Sequence, residues 1–303
     1  MSEDLLRYGL AFLVWPGLLL AAPLGWFDLW LMRKATARLQ GRIGPPFLQP
    51  AFDFLKLVGK RAVIPEGVNR TAFVALPIVS LASVGAALVV VPMPGNPAPR
   101  LPGDVVLLVY LLEMPVLVEV VAGFVGRSVY GEVGAMREAL MSLAYNLPFL
   151  AAVIAVAEHA GSFDLATIAA APFGPVHVFA GLAFLVALPA RLKTNPFSIA
   201  EAEHEIVAGA HIEYSGPLLG LFELSHALEI VVLTELFAVL FVPASGSAAV
   251  TIAVWVVVGL ALILGVALLA ATTARVRLAQ AFRFYWLWGG AASAAALVAG
   301  FVR

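Results

Sequence analysis

The sequence predicts an all-α integral membrane protein with about eight transmembrane helices and an amphipathic interfacial helix in the first cytoplasmic loop. Three observations predict this fold. Of the 303 residues, 62% are hydrophobic and only 12% are charged, whereas soluble domains carry about 25% charged residues. Apolar runs recur at the length of ~20 residues that a helix needs to cross a bilayer. Lysine and arginine are distributed unevenly among the segments between these runs.

The spanning helices are predicted to form one membrane domain that covers residues 1–303. Their expected ranges are roughly 8–30, 72–92, 105–126, 135–157, 174–191, 217–243, 248–271 and 284–302. The connector 91–104 is rich in proline and glycine and is predicted to be a turn region, and 161–174 is a longer connector. An even number of passes places both termini on the same side of the membrane.

The basic residues predict the orientation of the chain. If the 31–71 loop lies inside, all but three of the 18 lysines and arginines fall in inside segments or at inside helix ends. The three exceptions are Arg7, Arg100 and Arg303. Because cytoplasmic loops carry an excess of basic residues, we expect both termini on the outer, periplasmic side of a cell inner membrane.

The first inside loop contains a second kind of helix. Phe47, Leu48, Ala51, Phe52 and Leu55 recur at helical spacing, while Asp53, Lys56 and Lys60 share another face. Such a helix lies in the membrane interface with its charged face toward water or a partner. The pattern alone leaves open whether it only anchors the chain or also docks a partner.

Composition excludes several classes of function. The net charge of −1 argues against a nucleic-acid partner, and the absence of cysteine excludes disulfides and thiolate-bound iron–sulfur clusters in this chain. The sequence contains no phosphate-binding glycine loop and no catalytic triad pattern. We therefore predict no catalytic residue, no metal site and no cofactor in the chain itself.

Carboxylates within the predicted helices are the first candidate functional residues. Glu113 and Glu119 fall in the third helix, and Glu223, Glu229 and Glu235 fall in the sixth. A charge at the bilayer centre costs about 2.5–3.5 kcal/mol, so such acids are neutral, paired or hydrated. They either relay protons or hold helices together by hydrogen bonds.

Spacing divides these acids into groups. Glu223, His226 and Glu229 are three residues apart and form one drifting stripe, while Glu235 lies on a different side of the helix. Successive glutamates rise by about 9 Å at ~1.5 Å per residue, so water or other side chains must bridge them. Glu138 lies near the inside end of its helix and is either a relay member or a solvated end residue.

A polar stretch, Arg191 to Pro217, separates two apolar runs and carries four further acids, Glu201, Glu203, Glu205 and Glu213. Ser198 and Glu201 match a capping box, which predicts a short helix that starts at Ser198 and stops near Gly209. Arg191 and Lys193 are expected to offset the loop's negative charge, and His204 and His211 to be solvated. An acidic loop on the basic side of the membrane favours a partner surface over a merely solvated loop.

Four motifs carry a family resemblance. AEAEHEIVAG…IEYSGP (200–217) resembles the signature loop of the membrane-anchor subunit of respiratory complex I, the NuoH family, and of group 4 membrane-bound [NiFe] hydrogenases and formate hydrogenlyase. GRIGPPFLQPAFDFLKLVGK (41–60) is similar to the first cytoplasmic loop of that family. GAMREAL (134–140) and RVRLAQAFRFYW (275–286) also match in place.

Two departures from the quinone-reducing members resemble the hydrogenase-type branch. Pro46 stands where those members have Asn, and Asn146 stands where their fourth helix often has Glu. Ser198 replaces an Asp of many relatives.

The resemblance implies a non-catalytic subunit of an oxidoreductase complex, which couples electron transfer on a peripheral arm to translocation of H⁺ or Na⁺. Redox energy would alter the protonation or position of Glu201, Glu203, Glu205 and Glu213, which thus join the membrane glutamates and His226 as expected members of the proton relay. A [NiFe] centre and iron–sulfur clusters would lie on partner subunits at the cytoplasmic face, and antiporter-like subunits would lie in the membrane. The resemblance also implies a set of residues for partner docking or a vestigial quinone cavity: Arg42, Gly44, Pro45, Asp53, Lys56, Gly209, Tyr214 and Ser215. Two alternatives remain, namely the quinone-site subunit of a proton-pumping NADH:quinone oxidoreductase and a stand-alone ion-coupled secondary transporter.

Overall fold

The computed structural model describes residues 2–93, 96, 101–200, 203–243 and 247–301, with side chains described from residue 6 onward except at 203 and 204. Within these residues every regular element is a helix. In this described part of the chain, seven helical segments are long and apolar enough to cross a membrane, and an eighth apolar helix, Pro175–Arg191, is shorter. The predicted all-α membrane fold is confirmed.

The helices are numbered in chain order. They are α1 (Ser2–Leu13), α2 (Leu18–Leu39), α3 (Gln49–Val58), α4 (Arg70–Val90), α5 (Asp104–Val125), α6 (Val129–Ala160), α7 (Leu165–Ala170), α8 (Pro175–Arg191), α9 (Glu203–Ile206), α10 (Gly216–Phe241), α11 (Ala248–Thr272), α12 (Leu278–Phe284) and α13 (Gly290–Phe301). A π-helical turn, Tyr285–Gly289, joins α12 to α13 and makes them one spanning segment.

The first predicted helix, 8–30, has the wrong limits. The helix breaks between Leu13 and Leu18, and α2 then continues to Leu39, beyond the predicted end. Pro16 has no N–H to donate to the carbonyl one turn earlier. A side chain at Gly17 would lie 2.0 Å from the carbonyl oxygen of Phe12, so only glycine fits there.

Helix α10 is central to the bundle. It packs on α2, α3, α4, α8 and α11, and almost its whole length is buried among them. Helix α6 forms a second hub with α5, α8 and α13. By contrast α11 exposes most of its apolar side chains. The buried charges of α10 and α8, Glu229 and Arg191, are therefore enclosed by other helices, whereas Glu223 of α10 is exposed.

The interfacial helix is confirmed as α3. Phe52 and Leu55 are exposed on one side, and Phe54 packs against Trp26 of α2 with ring centroids 5.5 Å apart. Asp53 accepts a hydrogen bond from Gln49 at 2.7 Å. One face is thus available to lipid while the other faces α2 and α10.

The short helix of the acidic loop begins later than the sequence predicts. Ser198, Ile199 and Ala200 are not helical, α9 covers Glu203–Ile206, and Gly209 begins a 3₁₀ turn, Gly209–His211, instead of ending the helix. The Ser198 hydroxyl donates to Asn195 Oδ1 at 2.6 Å and accepts from Arg275 Nε at 3.1 Å. Glu201 lies outside the described residues, so its half of the predicted capping box has no description.

Candidate functional site

Arg191, the last residue of α8, lies at the centre of a buried cluster. Its side chain is only 1% exposed, and its Nη1 lies 2.7 Å from Oε1 of Glu113 on α5. Its Nη2 donates to the carbonyl oxygen of Leu112 at 2.8 Å, and its Cζ lies 4.3 Å from the ring centroid of Phe149. A planar guanidinium can make these contacts at once because its donors diverge.

Asn146 on α6 links Arg191 to Glu113. Its Oδ1 accepts from Arg191 Nη1 at 3.1 Å, and its Nδ2 donates to Glu113 Oε2 at 2.7 Å. An ionised carboxylate at this position could accept from arginine but could not donate to Glu113. The amide therefore completes the network without adding negative charge.

Glu229 on α10 approaches Arg191 from the other side. Its Oε1 lies 3.8 Å from Arg191 Nε, an ion-pair distance too long for a hydrogen bond, and its side chain is 6% exposed. Neither of these two buried atoms has a hydrogen-bond partner among the described residues. Arg191 thus binds Glu113 tightly and Glu229 loosely.

Lys193 forms the second buried ion pair. It follows α8 in a turn with φ of 52°, and its Nζ pairs with Glu119 of α5. Both side chains are nearly buried, at 12% and 6% exposed. Arg191 and Lys193 therefore neutralise acids of the membrane helices, and the prediction that they offset the acidic loop is wrong.

Glu138 is buried, and the alternative that it is a solvated end residue is wrong. It is 2% exposed and accepts a hydrogen bond from the Tyr145 hydroxyl at 3.1 Å. Tyr145 lies within electrostatic reach of Arg191 and Glu113. This pair on α6 therefore adjoins the Arg191 cluster.

The predicted stripe on α10 lines one cavity. This relay cavity of about 290 Å³ is bordered by Glu223, His226 and Glu229, and by Glu119 and Lys193 opposite. It could hold several waters at ~30 Å³ each. Glu229 and the pair of Glu119 and Lys193 both border the relay cavity. Water in this cavity can therefore bridge glutamates that are about 9 Å apart along the helix.

Two further cavities adjoin the relay cavity. One, of about 280 Å³, extends to Asp53 and Lys56 of α3 and shares Glu223 with the relay cavity. The other, of about 580 Å³, is the basic cavity. Its charged or polar lining comes from the end of α2, the loops that follow α2 and α8, and the segment between α11 and α12: Arg33, Thr36, Arg42, Lys193, Thr194, Asn195, Ser198 and Arg275, beside Gly44 and Pro45. Arg33 borders all three cavities.

Side chains of α2 hold the first-loop motif in place through hydrogen bonds to its backbone. Gly44 has φ of 74°, which favours glycine, and the Pro45 carbonyl accepts from Trp30 Nε1 and Lys34 Nζ, each at 3.3 Å. Arg42 donates to the Gln40 side chain. These contacts fix the loop against the C-terminal end of α2.

The two predicted docking loops contact each other. Ser215 Oγ accepts from the backbone N–H of Val63 at 3.0 Å. Tyr214 stacks on Phe73 of α4 with centroids 4.0 Å apart, and its hydroxyl oxygen is buried without a described partner. Burial raises the pKa of Tyr214 well above the ordinary value of a phenol. The tyrosine therefore stays neutral and positions the loop.

Close backbone packing seats the 3₁₀ turn on the bundle. A Cβ at Gly134 of α6 would lie 2.7 Å from the Cα of Gly209 and the N of Ala210. Glu213 lies beside the end of α5, where its Cγ would meet a Cβ at Gly126 at 3.3 Å. The turn is thus in direct contact with α6, and Glu213 with the end of α5.

Of the remaining acids of the loop, only Glu205 has a described side chain. Glu205 is exposed and pairs with Arg137 of α6 at 2.6 Å, and the hydrogen bond from Arg137 lowers its pKa. Glu201 lies outside the described residues, as do the side chains of Glu203 and His204. His211 is not simply solvated: its ring lies 4.4 Å from that of Phe222, and its Nε2 is buried without a described partner.

Glu235 lies apart from the relay cavity. It borders a different, mainly apolar cavity together with Asp28 of α2. Sequence reasoning did not consider Asp28, although it is an acid inside an apolar run. Sequence reasoning also treated Arg191 and Lys193 only as charges of the loop. Their position at the end of a short apolar helix was the feature that could have indicated pairing with acids of the membrane helices.

Metal-binding groups are not assembled in the described part of the chain, where no three His, Cys, Asp or Glu side chains are grouped to hold a metal ion. The chain as a whole resembles known membrane proteins. A family model described as NADH dehydrogenase matches residues 11–300.

Curated relatives include an NADH-quinone oxidoreductase subunit of the H type, the second of that type in Syntrophobacter fumaroxidans. It is 36% identical over 233 residues, or 70% of each protein. The H-type subunit from Geobacillus kaustophilus is 33% identical over 273 residues, covering 84% of this chain and 81% of the relative. A similar solved chain belongs to the membrane-bound sulfane sulfur reductase, an archaeal respiratory membrane complex. Its TM-score is 0.87 at 29% identity, over 98% of this chain and 99% of that chain.

Proposed function

Since this chain belongs to the NADH dehydrogenase family, we propose that it is a membrane subunit of a redox-driven ion-pumping complex. The observation that carries the proposal is the buried network of Glu113, Arg191, Glu229, Lys193 and Glu119, which borders a cavity of about 290 Å³. Relatives are subunits of respiratory complexes, and buried acids paired with bases inside a membrane are typical of ion paths.

In this proposal the Arg191 guanidinium alternates between two pairings, one shared by Glu113 and Glu229 and one with Glu113 alone. In the structure it holds Glu113 at 2.7 Å and Glu229 at 3.8 Å. A proton that reaches Glu229 from the relay cavity removes the charge that attracts Arg191, which then neutralises Glu113 alone. Loss of that proton restores the competition between the two acids. Protonation of Glu229 thereby changes the electrostatic environment of Glu113, without direct proton transfer between the two acids.

The cytoplasmic loops, about 31–71 and 191–216, form the docking surface for peripheral subunits. The basic cavity lies between these loops, and its charged lining residues are all cationic: Arg33, Arg42, Lys193 and Arg275. Such a surface favours an acidic segment of a partner. Because Lys193 also pairs with Glu119, a partner carboxylate that approaches Lys193 weakens that pair and changes the charge at the relay cavity.

The electron-transfer centres belong to the partners. We propose a [NiFe] centre and iron–sulfur clusters on peripheral subunits at the cytoplasmic face, with antiporter-like subunits beside this chain in the membrane. Pro46 and Asn146 support this hydrogenase-type assignment. Asn146 also has a structural role that the acid of quinone-type relatives could not fill in ionised form, because it donates to Glu113.

The decisive experiment compares Glu229→Gln with Glu158→Gln in the intact complex in proteoliposomes. Glu158 is an exposed carboxylate at the far end of α6 and serves as the matched control. We expect Glu229→Gln to abolish ion translocation while electron transfer continues. Unchanged translocation would remove Glu229 from the path.

A second experiment tests docking. The double charge reversal Arg42→Glu/Arg275→Glu is expected to release the peripheral subunits, and reversal of Glu201 and Glu205 to weaken docking or coupling. Co-purification measures both. A fully assembled, coupled complex from both variants would contradict the docking surface.

Spectroscopy and inhibitors test the electron-transfer assignment. Nickel and iron–sulfur EPR signals are expected from the purified complex, and quinone-site inhibitors are expected to have little effect on turnover. Potent inhibition together with the absence of nickel would favour a quinone-type complex.

A further inference from the structure

A second acidic cavity lies on another side of α10 from the relay cavity. It encloses about 300 Å³ between α2, α10 and α11, with Met93 also in its wall. Three aromatic side chains, Trp15, Phe27 and Trp255, contribute to its lining, and the rest is mostly aliphatic. This volume is at the lower end of cavities that hold small organic ligands, and such cavities are predominantly apolar with few polar groups.

The ionisable groups of this cavity are two acids with no basic residue beside them in the described lining. Asp28 enters from α2 and Glu235 from α10, and the two carboxyls are close enough to repel each other electrostatically. No lysine, arginine or histidine is among the described residues that line the cavity. In the relay cavity, by contrast, Lys193 faces Glu119 directly.

Two buried polar atoms in this cavity have no partner among the described residues. They are Glu235 Oε2, an acceptor, and Trp255 Nε1, a donor. The neighbouring Thr234 hydroxyl donates to carbonyls of its own helix, at 3.0 Å to Ile230 and 2.9 Å to Val231, so it does not satisfy Glu235. A buried polar group without a hydrogen bond costs about 1–3 kcal/mol, and for the Glu235 Oε2 acceptor an occupant with a suitable donor would offset this cost.

We propose that this cavity binds a lipophilic amine from the bilayer. The ammonium group would donate to the Glu235 and Asp28 carboxylates, and its charge would relieve their repulsion. The aromatic faces of the lining attract a cation, while the aliphatic wall takes the apolar body. Access from the membrane is open beside α11, because Ile252 and Val256 are 41% and 55% exposed.

Other occupants fit the lining less well. A hard metal ion takes six or more oxygen ligands, whereas the cavity presents two carboxyls and otherwise almost only apolar groups. A neutral lipid chain would fill the volume but would leave Glu235 Oε2 unsatisfied and the two acids uncompensated. A monovalent ammonium with an apolar body donates to Glu235 Oε2 and also compensates the charge of the two acids.

The test uses the intact complex in nanodiscs and two photoactivatable probes of equal size, a diazirine-bearing phenylbutylamine and the corresponding phenylbutanol. After irradiation, mass spectrometry locates the labelled peptides. We expect saturable labelling by the amine of peptides from residues 15–28 and 252–260, with little labelling by the alcohol. Glu235→Gln should weaken amine binding about tenfold, equivalent to ~1.4 kcal/mol, and Asp28→Asn should act in the same direction.

Controls separate this proposal from misfolding and from the pumping mechanism. Glu158→Gln should leave amine labelling unchanged, and Trp255→Phe, which removes the ring N–H but keeps an aromatic face, should retain amine binding and so report an intact cavity. Equal labelling by amine and alcohol would identify a lipid-filled crevice and overturn the proposal. Amine labelling that survives both acid substitutions would also overturn it. The result is independent of whether Glu229 carries the pumped ion.

Discussion

Replacement of Arg191 by methionine is expected to destabilise the chain more than any other single substitution in the network. Methionine keeps much of the packing volume but removes the contacts to Glu113 at 2.7 Å, Asn146 at 3.1 Å and the Leu112 carbonyl at 2.8 Å. Loss of one partner from a buried ion pair costs about 3–5 kcal/mol, because the remaining charge is uncompensated. We expect a loss of free energy of unfolding in that range.

A double-mutant cycle with Glu113→Gln isolates the pairwise contribution. If the cost of Arg191→Met comes from the uncompensated acid, the double variant should recover a large part of it, since no charge remains at Glu113. Lysine at position 191 should give an intermediate loss, because an ammonium lacks the divergent donors that reach the carboxylate, the amide and the carbonyl together.

The assay is reversible unfolding of the purified chain in mixed detergent micelles, with the free energy taken from the transition midpoint and slope. The exposed pair of Arg137 and Glu205 is the matched control, and its cycle should give a much smaller coupling because water already solvates both charges. An Arg191→Met/Glu113→Gln variant no more stable than Arg191→Met would refute the reasoning, as would wild-type stability of Arg191→Met.

The remaining predictions concern coupling, packing and pH. Glu229→Gln should uncouple ion translocation from electron transfer while thermal stability stays near wild type, and a large fall in stability would assign Glu229 a structural role instead. Gly134→Ala should cost about 1–3 kcal/mol by overpacking and expose the 3₁₀ turn to proteases, because its Cβ would lie 2.7 Å from that turn; Gly265→Ala, with no atom within 4 Å, is the control. The pair of Arg137 and Glu205 should be present at neutral pH, where the carboxyl is ionised, and should separate only as the pH falls through the lowered pKa of Glu205. Distance measurements between spin labels on α6 and α9 would follow this change, and separation already above about pH 5 would contradict it.

The resemblance in the sequence predicted the family, and the family match confirms it. The two long motifs, 41–60 and 200–217, were readable because they lie largely between the spanning helices, where residues are not chosen for hydrophobicity alone. The identity of the electron donor was not readable in the same way, because the proposed electron-transfer centres lie on other subunits, whose sequences this chain does not contain.

Local sequence was sufficient to predict the spanning helices, the interfacial helix and the stripe of Glu223, His226 and Glu229. Each depends on local hydrophobicity and on the helical period, which need no knowledge of neighbouring helices. Even there, the break at Pro16 and the late start of α9 were missed, because turn chemistry and tertiary contacts set those limits.

The pairing of the charges depended instead on how the helices pack. Arg191 and Glu113 lie 78 positions apart in the chain, and no periodicity relates them. Their contact exists because α5, α6 and α8 pack together, and burial then forces each charge to find a partner. The same packing buries Glu138 and separates Glu235 from the relay cavity, so the sequence supplied the acids and the fold determined which of them act together.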